Sequence, residues 1–162
     1  KFSGEVMGTG KTFGEAYAKA VIGGGMDLPT SGKALLSVRE VDRGRVVGVA
    51  RSLVELGFEL YGTHGTTRVI NAAGIACTGV NKVAEGRPHV VDMIKNDEIS
   101  LIVNTTEGKQ AIEDSAEIRY AALQNKVAYT TTISGAEALC MAMQKRGETG
   151  VSTLRELHQS VS

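Results

Sequence analysis

Short apolar segments that alternate with helical segments constrain the fold of this chain more strongly than any other feature of its sequence. Five segments are predicted strands, because they are rich in aliphatic residues and bounded by turn residues: residues 34–38, 58–61, 75–83, 99–103 and 126–130. The segments between them carry the apolar period of a helix. Strands that alternate with helices form a parallel sheet covered on both faces. The sequence therefore predicts an α/β fold, a Rossmann-like domain of three layers around a five-stranded parallel sheet.

Five helices are predicted between and after these strands, over residues 43–56, 68–73, 90–95, 110–124 and 136–145. Asp42 is a candidate N-cap of the first helix, and Gly57 is a candidate for its C-terminal stop. Pro88 suits the start of the third helix, because an N–H at that position has no partner in any case. Residues 151–158 form a final element whose type the pattern does not decide.

The first 31 residues differ in composition from the rest of the chain. A short amphipathic helix is predicted over residues 12–22, and the glycines at 23–25 begin a stretch typical of a linker. Residues 8–11 lack the spacing of a nucleotide-binding P-loop, and no predicted strand precedes them. Because the chain begins at Lys1 without a Met, we expect a piece of a longer protein. The predicted division is a leading segment over residues 1–31 and a domain over residues 32–162.

The composition argues against several classes of protein. Lys and Arg together number 18, as do Asp and Glu, so no net charge favours nucleic acid or a membrane surface. No apolar run has the length of a membrane span and no signal peptide is visible, so we expect a cytoplasmic protein. Cys77 and Cys140 lie in apolar contexts without metal-ligand spacing. Buried reduced thiols are the preferred interpretation, and one disulfide is the alternative.

The second predicted strand passes within a few residues into a helix, through Gly62-Thr-His-Gly-Thr-Thr67. The N–H groups of a first helical turn and the positive end of the helix dipole attract anions. The threonine hydroxyls of this stretch could add hydrogen-bond donors, and Gly65 lets the backbone approach a ligand closely. A phosphate site is the sharper hypothesis. A helix start capped by a threonine is the alternative.

Polar side chains also follow the other predicted strands, and the carboxyl ends of parallel strands meet at one edge of a sheet. Most of these side chains are cationic or carry a hydroxyl or amide group: Ser37, Arg39, Asp42, Arg43, Lys82, Asn104, Thr105, Thr106, Lys109, Thr130, Thr131 and Thr132. Such a rim suits a phosphate monoester that carries further hydroxyl groups. Ordinary loop composition is the alternative, because Ser, Thr, Asn and Gly are common in loops.

The sequence offers no convincing catalytic constellation. A nucleophile elbow and a histidine cluster of the metal-binding kind are both lacking. His64 lies beside the predicted phosphate loop, where it could be a general acid, an anion donor or a loop residue with one hydrogen bond. His89 follows Pro88 at a helix start and is expected to be structural. His158 lies near the end of the sequence and is expected to be solvated.

Seven motifs carry a resemblance to a known family: Ser37-Val-Arg-Glu40, Gly57-Phe-Glu-Leu60, Thr63-His-Gly-Thr66, Asn81-Lys-Val83, Glu85-Gly-Arg-Pro-His89, Asn104-Thr-Thr106 and Ile112-Glu-Asp114. They resemble the C-terminal allosteric domain of the bacterial carbamoyl-phosphate synthetase large subunit, which has the methylglyoxal-synthase-like fold. The resemblance spans nearly the whole chain, and the Glu85–His89 motif is its most specific part. Residues 4–8 resemble the end of the adjoining ATP-grasp synthetic domain. Residues 1–31 would then be the tail of that domain and a linker.

The resemblance implies a regulatory domain that binds two nucleotides, the inhibitor UMP and the activator IMP, and that catalyses no reaction itself. The residues that match the phosphate contacts of the family are Thr63, Thr66, Lys82 and Arg43. The residues that match its ribose and base contacts are Ser37, Asn104 and Thr106. Position 43 is Arg where the bacterial pattern has Lys, so the charge is kept while a planar guanidinium replaces a compact ammonium.

The resemblance also implies an ornithine site at the junction with the preceding domain, faced here by Tyr129 and Thr131. The parent enzyme would be a ligase that makes carbamoyl phosphate from bicarbonate, glutamine-derived ammonia and ATP for pyrimidine and arginine biosynthesis. Its ATP and Mg²⁺ or Mn²⁺ would bind outside this chain, which is expected to need no cofactor or metal. Expected partners are the ATP-grasp domain, a glutaminase small subunit and, as an option, further copies of the chain. The alternatives are a methylglyoxal-synthase-type phosphate lyase and a module for oligomerisation alone.

Overall fold

Five short strands form one parallel sheet in the computed structural model, which describes residues 28–146. In chain order the strands are β1 (Gly32–Ser37), β2 (Phe58–Thr63), β3 (Thr78–Val80), β4 (Leu101–Asn104) and β5 (Ala128–Thr130). Their order across the sheet is β3-β2-β1-β4-β5, and all neighbouring strands are parallel. The predicted α/β fold around a five-stranded parallel sheet is confirmed.

Helices follow the strands as the sequence pattern predicts. They are α1 (Arg43–Glu55), α2 (His64–Ala72), α3 (Val90–Lys95), α4 (Lys109–Gln124) and α5, which covers residues 133–146. Two short 3₁₀ turns precede α1 and α3, at Glu40–Asp42 and Val83–Glu85. Gly57 ends α1 with a positive φ of 98°, the backbone conformation that favours glycine at this position.

The sheet separates two hydrophobic cores because successive side chains of a strand point to opposite faces. Leu36 of β1 packs on one face with residues of α1, α2 and α5, among them Leu53, Ile70 and Leu139. Leu35 packs on the other face with α3 and α4, whose Ile94 and Ile118 are buried there. Three layers result, with β1 and β4 in the middle of the sheet. This explains why their sequences are apolar without alternation.

Several predicted boundaries are wrong at the edge of the sheet. The third strand covers only Thr78–Val80, because residues before it are held by Asn71 and residues after it enter a 3₁₀ turn. The side chain of Asn71 accepts a hydrogen bond from the N–H of Cys77 at 2.9 Å and donates one to its carbonyl at 3.2 Å. Helix α2 begins at His64, four residues earlier than predicted. The predicted loop at Thr63–Thr67 is thus largely the first turn of a helix.

Two predicted helix starts also differ in detail. Asp42 stands at the N-cap position of α1 but does not cap the helix, because its carboxylate accepts a hydrogen bond from Arg39 instead. Pro88 lies before the start of α3 and follows a cis peptide bond from Arg87. The N-cap residue of α3 is His89, whose ring accepts a hydrogen bond from the N–H of Val91. This contact is the kind of structural role that was expected of His89.

Both cysteines are free thiols. Burial raises the pKa of Cys140 to about 12, so its thiol stays protonated at neutral pH.

No helix within residues 28–146 combines the length and the apolar character that a membrane span requires. Several predictions lie outside the described residues: the helix at 12–22, the excluded P-loop at 8–11, the leading segment up to residue 27, the element at 151–158 and the solvated His158.

Candidate anion-binding site

The direction of the chain across the sheet changes at β1. From β1 the chain moves to β2 and β3 on one side, and it then returns to β4 and β5 on the other side. Ligands of open parallel sheets bind at such a switch point, outside the carboxyl ends of the strands. A cleft of about 470 Å³ opens there, beyond the ends of β1, β2 and β4.

The cleft brings together all but one of the residues predicted to bind an effector. The predicted residues that line it are Ser37, Arg43, Thr63, Lys82, Asn104 and Thr106. They come from separate parts of the chain, and the parallel sheet places them side by side. Residues that the sequence reasoning did not assign to the site also line the cleft, including Val83, Asp114, Ser115 and Ile118. Asp114 and Ile118 are four residues apart and so lie on one face of α4, and this spacing could have indicated that both face the cleft.

Thr66, the remaining predicted phosphate ligand, is fully buried beneath the cleft. Its hydroxyl oxygen accepts a hydrogen bond from the N–H of Val38 at 3.0 Å, and the same hydroxyl lies 3.4 Å from the carbonyl of Val38. This bond fastens the loop that follows β1 to the first turn of α2. Contact between Thr66 and a ligand stays a prediction.

The first turn of α2 has no side-chain cap. Thr63 is the N-cap residue, but its hydroxyl donates to the hydroxyl of Ser37 at 3.1 Å rather than serving the helix. A capped start was the alternative to a phosphate site, and the geometry of Thr63 does not provide that cap. The partial positive charge at this helix start is therefore not offset by the side chain of its N-cap residue.

The guanidinium group of Arg43 lies directly against this open helix start. A Cβ atom on Gly65, in the first turn of α2, would stand 3.0 Å from Cζ of Arg43 and 3.6 Å from its Nη1. The Nε atom of Arg43 is buried and has no hydrogen-bond partner. Among residues 28–146, no carboxylate forms an ion pair with Arg43. A cation beside the positive end of a helix is unfavourable unless an anion joins them.

Lys82 adds a second cation to the cleft. It is exposed, and in the described part of the chain it has no carboxylate partner either. Two hydrogen bonds fix the backbone around Lys82. The N–H of Lys82 donates to the carboxylate of Glu85 at 2.7 Å, and the side-chain amide of the preceding residue, Asn81, donates to the carbonyl of Pro88 at 3.1 Å. Asn81 Oδ1 also lies 3.1 Å from Nε2 of His64. His64 thus ties the residue after β3 to the start of α2 and does not line the cleft.

The cleft also has apolar lining, next to the polar side chains of Asp114 and Ser115 on α4. The apolar side chains come from β1, β4, α3 and α4 and from the turn after Lys82: Leu35, Val83, Val90, Ile102 and Ile118. Asn104, which is buried, lines the cleft as well. Its amide nitrogen donates to the hydroxyl of Ser115 at 3.0 Å and to that of Tyr129 at 3.3 Å. The cleft therefore suits a ligand that carries both an anionic group and an apolar, planar or aliphatic body.

The two residues predicted to face ornithine lie apart from each other. The Tyr129 hydroxyl contacts Asn104 below the cleft, whereas Thr131 is exposed and lines a second cavity of about 280 Å³. Arg39, Thr105 and Thr106 line both cavities. Ornithine binding stays a prediction.

Asp42 lies in the wall of the second cavity and is buried. Burial acts to raise its pKa, but hydrogen bonds from Arg39 and Thr105 and the positive charges of Arg39 and Arg45 outweigh burial and hold the pKa below its usual value. The N–H of Arg39 in turn donates to Thr105 at 2.9 Å. This network joins the loop after β1 to the loop after β4.

Within residues 28–146, no group of three or more His, Cys, Asp or Glu side chains could hold a metal ion.

The family of the chain follows from comparison with known proteins. The family model of the MGS-like domain matches residues 45–131, from the start of α1 to the end of β5. The chain therefore belongs to the MGS-like domain family. The matched range contains Thr63, Lys82, Asn104 and Thr106, whereas Ser37 and Arg43 lie just before it.

Several curated relatives of the chain are large chains of carbamoyl phosphate synthase. Identity is 58% over 158 residues with the protein of Pseudomonas putida, 55% over 161 residues with that of Pseudomonas aeruginosa and 54% over 159 residues with that of Vibrio cholerae. These matches cover 98% or 99% of this chain and 15% of each relative, so the chain spans about a seventh of their length.

A solved structure has the same fold at low sequence identity. The crystal structure of methylglyoxal synthase from Elizabethkingia anophelis NUHP1 matches with a TM-score of 0.55 and 16% identity. The match covers 70% of this chain and 79% of the synthase. It confirms the methylglyoxal-synthase-like fold.

Asp92 fixes the segment that precedes α3, next to Lys82, and gives a prediction for the pH dependence of stability. Hydrogen bonds from Arg87 and from the N–H of His89 lower the pKa of Asp92 from 3.8 to about 2. A lowered pKa stabilises the fold above pH 3.8, and this contribution is lost as the pH falls toward 2. Asp92→Asn should therefore unfold at lower urea concentration than the parent at neutral pH, and the gap should close near pH 2.

Urea unfolding followed by circular dichroism over this pH range measures the gap. Glu55→Gln is the control, because Glu55 is an exposed carboxylate at the end of α1 and should show little difference at any pH. A gap for Asp92→Asn that stays constant down to pH 2 would show that its charge contributes nothing.

Proposed function

We propose that this chain is the regulatory domain of a carbamoyl-phosphate synthase large chain and that it binds nucleoside monophosphates, UMP and IMP, in the cleft. The observation that carries the proposal is the guanidinium of Arg43, which lies without an ion-pair partner against the uncapped start of α2. Similarity over 98% of the chain to carbamoyl phosphate synthase large chains supports the choice of parent protein.

The phosphate group would lie near Arg43 and Lys82 in the cleft. There the N–H groups at the start of α2, the guanidinium of Arg43 and the ammonium of Lys82 supply charge-assisted hydrogen bonds. The hydroxyl of Thr63 would supply a further polar contact, and the hydroxyl of Ser37, which accepts a hydrogen bond from Thr63, would contact the nucleoside. A phosphate dianion would offset the two cations and the helix dipole together. This explains why Arg43 and Lys82 line one cleft although neither forms an ion pair with a carboxylate of the described residues.

The nucleoside would extend toward the apolar lining. Asn104 and Thr106 would contact the ribose, and the base would pack between side chains of β4, α3 and α4 such as Ile102, Val90 and Ile118, all of which line the cleft. A cleft of about 470 Å³ lies in the range of ordinary small-molecule sites. We propose binding without catalysis, since His64, the histidine next to the cleft, is held by Asn81 outside the lining.

The effect on the parent enzyme would act across an interface. A ligand shifts a conformational equilibrium only by its preference for one of two states, so the cleft must be coupled to a neighbouring domain. The proposed neighbour is the ATP-grasp domain of the same polypeptide, with a glutaminase small subunit as the further partner, in the cytoplasm. Ornithine would bind near Thr131, and the Arg39–Asp42–Thr105 network lies between the two cavities.

The first prediction from this proposal compares a nucleotide with its nucleoside. UMP should bind the chain, and uridine should bind at least about tenfold more weakly, because the phosphate makes the charge-assisted bonds. Isothermal titration calorimetry measures both affinities, with IMP and inosine as a second pair. Equal affinities for nucleotide and nucleoside would contradict a phosphate site.

The second prediction concerns Lys82. Lys82→Ala should weaken UMP binding about 10- to 100-fold, since a hydrogen bond to a charged group contributes roughly 1.5–3 kcal/mol. Lys95→Ala is the matched control, because Lys95 is an exposed lysine at the end of α3 and does not line the cleft. The urea midpoints of both variants should stay near that of the parent. An affinity of Lys82→Ala within twofold of the parent would remove this residue from the site.

A further inference from the structure

Gly65 has an unusual neighbour for a glycine inside a helix. Its missing side chain leaves space that the guanidinium of Arg43 occupies, with Cζ only 3.0 Å from where a Cβ atom would stand. Its φ is not in the left-handed region, so the backbone conformation does not call for glycine. An alanine at this position would suit the helix better than glycine. The space that glycine leaves for the guanidinium of Arg43 is a benefit that alanine cannot provide.

The position of Arg43 is set by this contact rather than by hydrogen bonds within the protein. Its Nε has no partner, and no carboxylate in the described part of the chain pairs with it. A guanidinium group normally takes its orientation from a carboxylate or phosphate that binds both arms of its planar fork. Here the flat group lies on the only surface of α2 that has no side chain. It is thus oriented before any ligand arrives.

We infer that Gly65 is a positioning residue for Arg43, so that its function in phosphate binding is to hold the arginine in place rather than to make room for the ligand. This inference rests on the proposed function. A methyl group at position 65 would push the guanidinium away from the helix start. The end of a long side chain moves at little cost, so the fold itself would not be disturbed.

The inference predicts opposite signs for stability and binding. Gly65→Ala should unfold at the same or a higher urea concentration than the parent, because alanine favours the helix. It should nevertheless bind UMP about 5- to 50-fold more weakly, since most of the contribution of Arg43 is lost. Gly48→Ala is the matched control: Gly48 lies in α1 with nothing within 4 Å of its Cβ position. That variant should bind UMP within about twofold of the parent.

A double-mutant cycle separates the positioning of Arg43 from direct contact with the ligand. Arg43→Ala should weaken UMP binding about 10- to 100-fold, and Gly65→Ala added to Arg43→Ala should change the affinity less than about twofold further. Arg51→Ala, an exposed arginine on the same helix as Arg43, is the control for the loss of charge. Calorimetry with UMP measures every variant.

Each result of the cycle has a definite meaning. If Gly65→Ala weakens binding as much in the Arg43→Ala background as in the parent, the new methyl group meets the ligand and the inference is overturned while the phosphate site stands. The inference is equally overturned if Gly65→Ala binds as tightly as the parent. If Arg43→Ala itself leaves the affinity unchanged, or if UMP does not bind the parent, the proposed function fails together with the inference.

Discussion

The arrangement of the site depends on one contact, the guanidinium of Arg43 against the first turn of α2 at Gly65. Two positive groups, a side chain and the end of a helix dipole, are held next to each other without a negative partner in the described part of the chain. Such an arrangement is costly in the absence of a ligand and favourable with a phosphate between the groups. Because of this contact, the site favours a ligand that carries a negative charge, such as a phosphate group.

The sheet makes this contact possible by tying its loops together below the cleft. Thr66 bonds to the backbone of Val38, Thr63 bonds to Ser37, and His64 bonds to Asn81. Each bond joins the start of α2 to the end of a neighbouring strand or the residue just after it. Two of these side chains, Ser37 and Thr63, also line the cleft, so the same hydroxyls hold the loops and face the ligand. The cations Arg43 and Lys82 take no part in these three bonds.

The sequence predicted the sheet well because the central strands are buried on both faces and their apolar runs are unambiguous. It predicted β3 and the start of α2 less well. Strand β3 is an edge strand of only three residues, so its sequence signal is short. The Thr63–Thr66 stretch has the composition of a loop, but in the structure it forms the first turn of a helix, in which Thr66 is packed against Val38. The rule that ligands bind at the carboxyl ends of parallel strands gathered most polar residues of the cleft, and the resemblance assigned six of them to a ligand. The contact between Arg43 and Gly65 joins residues that are far apart in the sequence, so no local sequence pattern could predict it.

A crystal structure of the chain with UMP bound would show whether Arg43 and the start of α2 hold the phosphate together. We expect a phosphate oxygen about 3 Å from an N–H group in the first turn of α2 and a second oxygen at the same distance from the guanidinium of Arg43. Arg43 should remain against Gly65, with its Nε atom or a neighbouring nitrogen bound to the phosphate. A nucleotide bound elsewhere on the chain would rule out this site, and a phosphate in the cleft that Arg43 does not touch would rule out the role of the arginine.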